Sequence, residues 1–492
     1  MSQDTIDDIE KTMDGERAAA PLSELSVQPP VESSDAEGQS GKEREGREGD
    51  RNGHDDEGIP LAEITSEPPV ERAEPSPRQP SKAELPPLSA WATRLYTVSY
   101  LIFFAIFGTL ARLGLQALTE FPGAPVITGV LWANVGGCIL MGFFIEDRNI
   151  FREEWGRSPP DADVSQQPRR QASTTSQDKQ TIKKHKTVKK SIPLYIGLTT
   201  GFCGSFTSFS SFIRDVFLAL SNDLSDPSLA ASTSGNGIVD GRPRGDSFMA
   251  VVAVLALTVS LSIVAFYLGA HLALALDPWM PTVPFRFTRN VLDRLVVFLG
   301  WGCWLGAVIM SIWPPHNSWR SDALFAIVFA PLGCLFRFYM SLLLNARIPV
   351  FPLGTFAVNI IGTGVLGMCY DLQHVSGIGA PTPSLYGWDP TASSSRDSLF
   401  PGITSELQST ARSILVSCQV LQGVMDGFCG ATTTVSTWIA ELTSIGVGTK
   451  SKRRRFAWAY FYAAASMGVA FALLVVVMGS VRWSRGFDTP YC

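Results

Sequence analysis

Apolar residues along this chain gather into long runs separated by polar loops, and the runs begin late. From Leu88 onward, nine stretches are apolar enough to be read as membrane spans: roughly 90–118, 125–146, 191–220, 247–276, 291–313, 321–345, 350–373, 411–445 and 456–482. Each is near or above the ~20 residues that a helix needs to cross the hydrocarbon of a bilayer. Gly and Ser recur inside them, as in helices that pack closely in membranes. The pattern predicts an all-α polytopic membrane protein and argues against a large soluble enzyme.

The nine runs fall in the order four, one, four, and the two groups of four carry the same marks. Asn134 and Asn359 each stand in an apolar run, with glycines three and eight positions on (Gly137 and Gly142; Gly362 and Gly367). Each asparagine follows an arginine, Arg112 or Arg337, by 22 residues. Each is followed by Gly-Phe-Cys-Gly, at 201–204 and at 427–430, and then by a Ser/Thr-rich stretch. Such equal spacing points to a duplicated membrane domain. The unpaired span 291–313 is an odd linker and forces the second copy into the membrane upside down. The predicted architecture is therefore two inverted four-helix repeats joined by a single linker transmembrane helix: nine spans, with the third helix of each repeat broken. Its limits are a polar tail 1–88, a first repeat 89–277, a linker 278–319, a second repeat 320–485 and a short C-terminal tail 486–492. Inverted repeats of this kind build a pathway at their interface, near the bilayer midplane.

Composition separates the tail from the rest. Residues 1–88 are rich in Glu, Asp, Pro, Ser and Arg and contain no Phe, Trp or Tyr. They cannot bury enough apolar surface to offset ordering entropy, which predicts a disordered cytoplasmic tail. The first thirty residues lack the apolar core of a signal peptide. The net charge of −5 is dominated by this acidic tail. Loop charge then sets orientation. Arg169, Arg170 and the stretch 183–190 are basic, as is the run Lys450, Lys452, Arg453, Arg454 and Arg455. Loop 119–124 has no Lys or Arg, and 374–410 has Arg396 alone. The N-terminus is thereby predicted cytoplasmic and the C-terminus extracellular; anionic lipid is a compatible partner for the basic runs.

Chemistry has few residues to work with. No paired-carboxylate motif, GxSxG, Walker loop or HExxH stands in the spans, so the chain does not read as an enzyme. The eight cysteines show no CxxC and no zinc spacing, and are read as buried thiols, neither disulfides nor metal ligands. His271 is a lone histidine in an apolar run and reads as a packed or interfacial residue. Transport is what remains. Arg112 and Arg337 are the main intramembrane charges, with snorkelling to an interface as the alternative. Asn134 and Asn359 offer amide N–H donors to an anion, or else hydrogen bonds between helices. The Gly-x-x-Gly segments suggest helix breaks, whose carbonyls at a pseudo-two-fold axis would suit a small dehydrated cation. Phe209 and Phe212, three apart on one helix face, are core residues or ring edges able to stabilise an anion.

Together these residues resemble the Fluc/CrcB fluoride channels, in particular the fused two-domain fluoride exporters of eukaryotes. The resemblance covers about 390 residues, all but the tail and the inserted loops. It implies a passive, selective fluoride channel in the plasma membrane that protects the cell from fluoride, with a structural sodium ion. Asn134 and Asn359 would be pore amides, and Phe209 and Phe212 two members of a phenylalanine box. Backbone oxygens of Gly204, Thr207, Gly430 and Thr433 would hold the sodium. Thr258 and Ser262, with Ser466 in the second repeat, would form polar tracks. The second repeat departs from the pattern, with Val435 and Trp438 where the family has two phenylalanines. The two pores are therefore expected to be unequal, and if box pairs cross between repeats, Phe209 with Trp438 keeps two rings. Such a channel needs no energy source, because an inside-negative potential expels an anion with ~2.3 kcal/mol per 100 mV. A proton-coupled antiporter would want a titratable group in the pathway, and a cation exporter a membrane carboxylate. Neither is read within the core spans except near their ends, as at Glu441. A non-transporting scaffold would need no paired asparagines. A single chain is expected to suffice, and no nucleic acid is expected as a partner.

Overall fold

A computed structural model describes residues 90–121, 129–153, 188–224, 244–314, 319–348, 350–382, 401–445 and 452–492. The expected tail, and most of the basic loop that follows the second span, lie outside the described residues. No extended strand occurs among them; the structure is helical throughout. In chain order the helices are α1 (Ala90–Thr119), α2 (Val130–Glu146), α3 (Pro193–Ile196, widening into a π-helical stretch Gly197–Cys203 and tightening again at Gly204–Phe206) and α4 (Phe209–Ser221). Then follow α5 (Arg244–Leu276), α6 (Asp293–Ile312), α7 (Phe325–Leu344), α8 (Leu353–Gln373), α9 (Pro401–Gly423, continuing as Val424–Cys429 and Gly430–Thr432), α10 (Val435–Ser444) and α11 (Lys452–Ser484).

Seven helical stretches among the described residues are long and apolar enough to cross a membrane, which makes this a multi-pass membrane protein. The second expected span appears as a shorter apolar helix, α2, of 17 residues. The third is divided between α3 and α4. Within each half the second helix packs on the last, α2 on α5 and α8 on α11. The pieces after the breaks cross over: α4 lies against α8 and α11, and α10 against α2 and α5. Each half is thus completed by a helix from the other.

Helix α6 joins the two halves at their first helices. Trp301 Nε1 donates to Ser99 Oγ at 3.2 Å and Tyr100 Oη to Asp293 Oδ1 at 2.9 Å, both on the α1 side. Trp304 Nε1 donates to the Val328 carbonyl of α7 at 2.9 Å. Elsewhere α6 presents large apolar side chains outward, among them Phe298, Leu305 and Ile309, as suits a helix facing lipid.

Three expectations need correction. Two cysteines are not free: Cys418 on α9 is joined to Cys492 by a disulfide. Their separation in sequence hid the pairing, and the C-terminal segment folding back creates it. Asp488 N donates to His374 O at 3.1 Å, Tyr491 N to Gly379 O at 2.9 Å and Ser376 Oγ to Asp488 Oδ2 at 2.8 Å. Phe487 packs on Tyr370 and His374, and burial lowers the His374 pKa below its ordinary value. Carboxylates, second, are not confined to span ends: Asp426 sits in the π-helical stretch of α9, where Gln422 Nε2 donates to it at 2.5 Å. Third, the Gly-Phe-Cys-Gly segments are not themselves the breaks. They stay helical, π-helical as far as the cysteine and α-helical from the last glycine, and the chain opens only at Thr207–Ser208 and Thr433–Thr434.

Candidate functional site

The two breaks have nearly the same backbone. Thr207 and Ser208 have φ/ψ of −93/151° and −138/118°; Thr433 and Thr434 have −92/146° and −146/130°. What opens the helix is a side chain from the neighbouring span. Asn134 Oδ1 accepts the Ser208 N–H at 2.9 Å, and Asn359 Oδ1 accepts the Thr434 N–H at 2.9 Å. Each amide also donates a longer bond, 3.4 Å, to the carbonyl of the same residue. Ser208 and Thr434 then cap the next helix, accepting from the N–H of Ser211 and of Thr437, as N-cap hydroxyls do. Both asparagines are fully buried. The interhelical hydrogen bond considered as an alternative is therefore present at both, and one N–H of each amide is left over for a ligand.

The glycine three residues after each asparagine follows from this geometry. A Cβ on Gly137 would collide with the Thr207 methyl, and one on Gly362 with the Thr433 methyl. Small residues here let the breaks press against α2 and α8.

The breaks meet each other across the repeats. Thr207 Oγ1 accepts from the N–H groups of Val435 and Ser436, both at 3.2 Å. Thr433 Oγ1 accepts from the Ser210 N–H at 3.0 Å. Each threonine of one repeat so caps the first turn of the other repeat's helix. Ser436 Oγ also donates to Cys203 O at 3.1 Å.

Diversion of the amides leaves carbonyls behind. The helical partners of Gly204 O and Thr207 O would be the N–H groups of Ser208 and Ser211, which go to Asn134 and to the Ser208 hydroxyl. Gly430 O and Thr433 O lose Thr434 and Thr437 in the same way. These four residues are the set predicted to hold a cation. An all-oxygen set at the carbonyl ends of α3 and α9 fits a hard, small cation in both ligand type and dipole sense.

The arginines are not at an interface with water. Arg112 and Arg337 are each 1% exposed. Arg112 donates to Ser205 O at 3.1 Å and to Asp426 O of the other repeat, and Arg337 Nη2 to Thr200 O at 2.6 Å. Thr200 and Asp426 each immediately precede a Gly-Phe-Cys-Gly segment. A Cβ on Gly204 would land in the Arg337 guanidinium, and one on Gly430 in that of Arg112. The arginines therefore clamp the opposite repeat, and the last glycine of each segment makes room for them.

Phe209 and Phe212 are fully buried and meet edge to face, with centroids 5.9 Å apart. Phe209 also meets Trp438 across the repeats, 5.4 Å away and T-shaped. Val435 adds no ring. Thr258 and Ser262 lie buried on α5, and Ser466 on α11 donates to Tyr462 O at 2.8 Å. Two polar residues escaped the sequence reading. Tyr462 Oη donates to Glu441 Oε2 at 2.8 Å, and Thr355 Oγ1 to Glu441 Oε1 at 2.6 Å. Tyr462 precedes Ser466 by four, as Thr258 precedes Ser262, and that spacing could have disclosed it.

Comparison with known proteins came to the same place. The family described as CrcB-like protein, Camphor Resistance (CrcB), matches twice, over residues 99–270 and 324–480. Fluoride export protein 1 of Neurospora crassa is 48% identical over 420 residues, 82% of this chain and 70% of that protein. Fluoride export protein 1 of Candida albicans is 31% identical over 385 residues, 78% and 79% of the two chains. Fluoride export protein 1 of Schizosaccharomyces pombe is 26% identical over 403 residues, 81% of this chain and the full length of that protein. No solved structure matches.

Proposed function

This chain belongs to the family of CrcB-like proteins, and we propose on that premise that it is a passive, selective channel exporting fluoride across the plasma membrane. Relatives named for fluoride export over about four-fifths of the chain support the substrate. The observation that carries the mechanism is the reciprocal crossing at Thr207–Ser208 and Thr433–Thr434, each break held by a buried asparagine that keeps a spare N–H. A dehydrating passage lined by amide, hydroxyl and ring edges stabilises an anion at several weak points, which allows it to leave again. Gly204, Thr207, Gly430 and Thr433 would hold a sodium ion through their carbonyls, its positive charge pinning the two breaks together. The box is unequal: Phe209 and Trp438 make a ring pair across the repeats, whereas Val435 leaves its side with one ring, so the Phe209–Trp438 side is the conducting one.

The carboxylates of Asp426 and Glu441 speak for a second reading, a fluoride/proton antiporter, because they supply the titratable groups such coupling wants. Liposomes loaded with potassium fluoride, with valinomycin to clamp the potential, separate the two. Fluoride release without a proton gradient, with little chloride release in parallel, supports the channel. Release only with a proton gradient moves the assignment to the antiporter.

Two predictions arise here. Phe209→Ala lowers fluoride efflux by up to about ten-fold, while Val435→Ala leaves it within about two-fold, taking about 0.5–1.5 kcal/mol for an aromatic contact; equal effects on efflux would contradict the unequal box. The disulfide bears on orientation, since such bonds persist on the oxidising side of a membrane. With the C-terminus extracellular, a membrane-impermeant maleimide labels intact cells at Cys492 only after reduction, and the signal disappears in Cys492→Ser. Labelling that requires permeabilised cells reverses the orientation.

A further inference from the structure

We infer that Trp438 donates its indole N–H to the permeating anion, a role that no phenylalanine at this position could take. The inference rests on the fluoride pathway proposed above and deepens it by naming a donor. Trp438 is the largest fully buried side chain, 1% exposed, yet its Nε1 has no hydrogen-bond partner among the described residues. At the breaks themselves Thr207, Ser208, Ser210, Ser211, Thr433, Thr434 and Ser436 bond one another or the backbone, while Ser205 Oγ and Thr432 Oγ1 just before the breaks are also unpartnered among the described residues. A buried N–H without an acceptor bears its full desolvation penalty, which a phenyl ring would avoid. An acceptor that visits the site offsets that penalty.

The indole sits where such a visitor is expected. Its ring meets Phe209 of the other repeat edge to face, which places the buried indole at the junction of the repeats. Helix α10, which carries Trp438, packs against α5, the helix of Thr258 and Ser262. Glu441, one turn beyond Trp438, does not serve as the acceptor, since its oxygens are taken by Tyr462, Thr355 and Asn345. The fitting ligand is a small, strongly accepting anion. A neutral indole donor adds affinity without a fixed countercharge, so the anion is not trapped.

The test reads binding at the indole itself. Full-length protein carrying ¹⁵N-labelled tryptophan is titrated with sodium fluoride and, in parallel, with sodium chloride. The resonance missing from Trp438→Phe is expected to move downfield with fluoride and to stay put with chloride. Efflux through Trp438→Phe is expected to fall about ten-fold, the worth of one hydrogen bond to a charged group. An indole resonance that ignores fluoride overturns the inference whatever the flux, because lost flux alone would also follow from altered packing. If neither Trp438→Phe nor Trp438→Tyr folds, the wild-type titration decides: none of the twelve tryptophans responding to fluoride overturns it. Wild-type protein that releases no fluoride from liposomes is a different failure, that of the proposed function.

Discussion

Asn134→Asp abolishes fluoride efflux, while the protein still folds and elutes as the wild type does. The substitution keeps the shape and the oxygen that accepts the Ser208 N–H at 2.9 Å, so the break at Thr207–Ser208 survives. It replaces the NH₂, which donates weakly to Ser208 O and has one hydrogen to spare, by a second oxygen. If ionised, that buried carboxylate faces the anion. Like charges about 4 Å apart repel by about 4 kcal/mol at an effective dielectric of 20, roughly a thousand-fold in occupancy. If protonated, it offers a single O–H in place of two N–H donors. Asn359→Asp is the control, because its surroundings at the break are equivalent: efflux that survives there and not at Asn134 identifies one conducting side. Liposome efflux with a fluoride electrode measures both, and normal flux through Asn134→Asp removes the amide from the mechanism.

Gly204→Ala costs the fold rather than the ion. The added methyl would stand inside the Arg337 guanidinium, which is fully buried and donates to Thr200 O at 2.6 Å. Moving it strands a buried charge, a loss of about 3–5 kcal/mol. In detergent this appears as a thermal midpoint lowered by many degrees, or as protein that aggregates on extraction. A double substitution checks the cause. Arg337→Leu removes the obstructing group, and Gly204→Ala is then expected to cost much less on that background. Equal losses on both backgrounds would show that the collision is not with Arg337.

Much of this site was legible in the chain, and for a definite reason. A duplicated domain repeats its constraints, so the Arg, Asn and Gly spacings stood out twice without any fold being known. Each proved to have a geometric cause: Asn134 and Asn359 open the helix, Gly137 and Gly362 admit the threonine methyls, and Gly204 and Gly430 admit the arginines. Where each arginine goes was not legible. Snorkelling and burial give the same sequence signal, and only the crossing of the repeats distinguishes them. The π-helical form of Gly197–Cys203 and Val424–Cys429 was equally hidden, since the ladder shifts in answer to neighbours rather than to local propensity.

The sequence by itself determined the membrane class, the division into two like halves around one odd helix, and the residue types that carry the polar work. These follow from hydropathy and periodicity, which are local properties of a chain. Tertiary structure alone decided the pairings: Thr207 with the start of α10, Thr433 with the start of α4, Arg112 and Arg337 each with the other half, Phe209 with Trp438, and Cys418 with Cys492. Each joins residues far apart along the chain, and their meeting depends on how buried donors and acceptors are satisfied when the two halves close on one another. That requirement acts only in the folded protein.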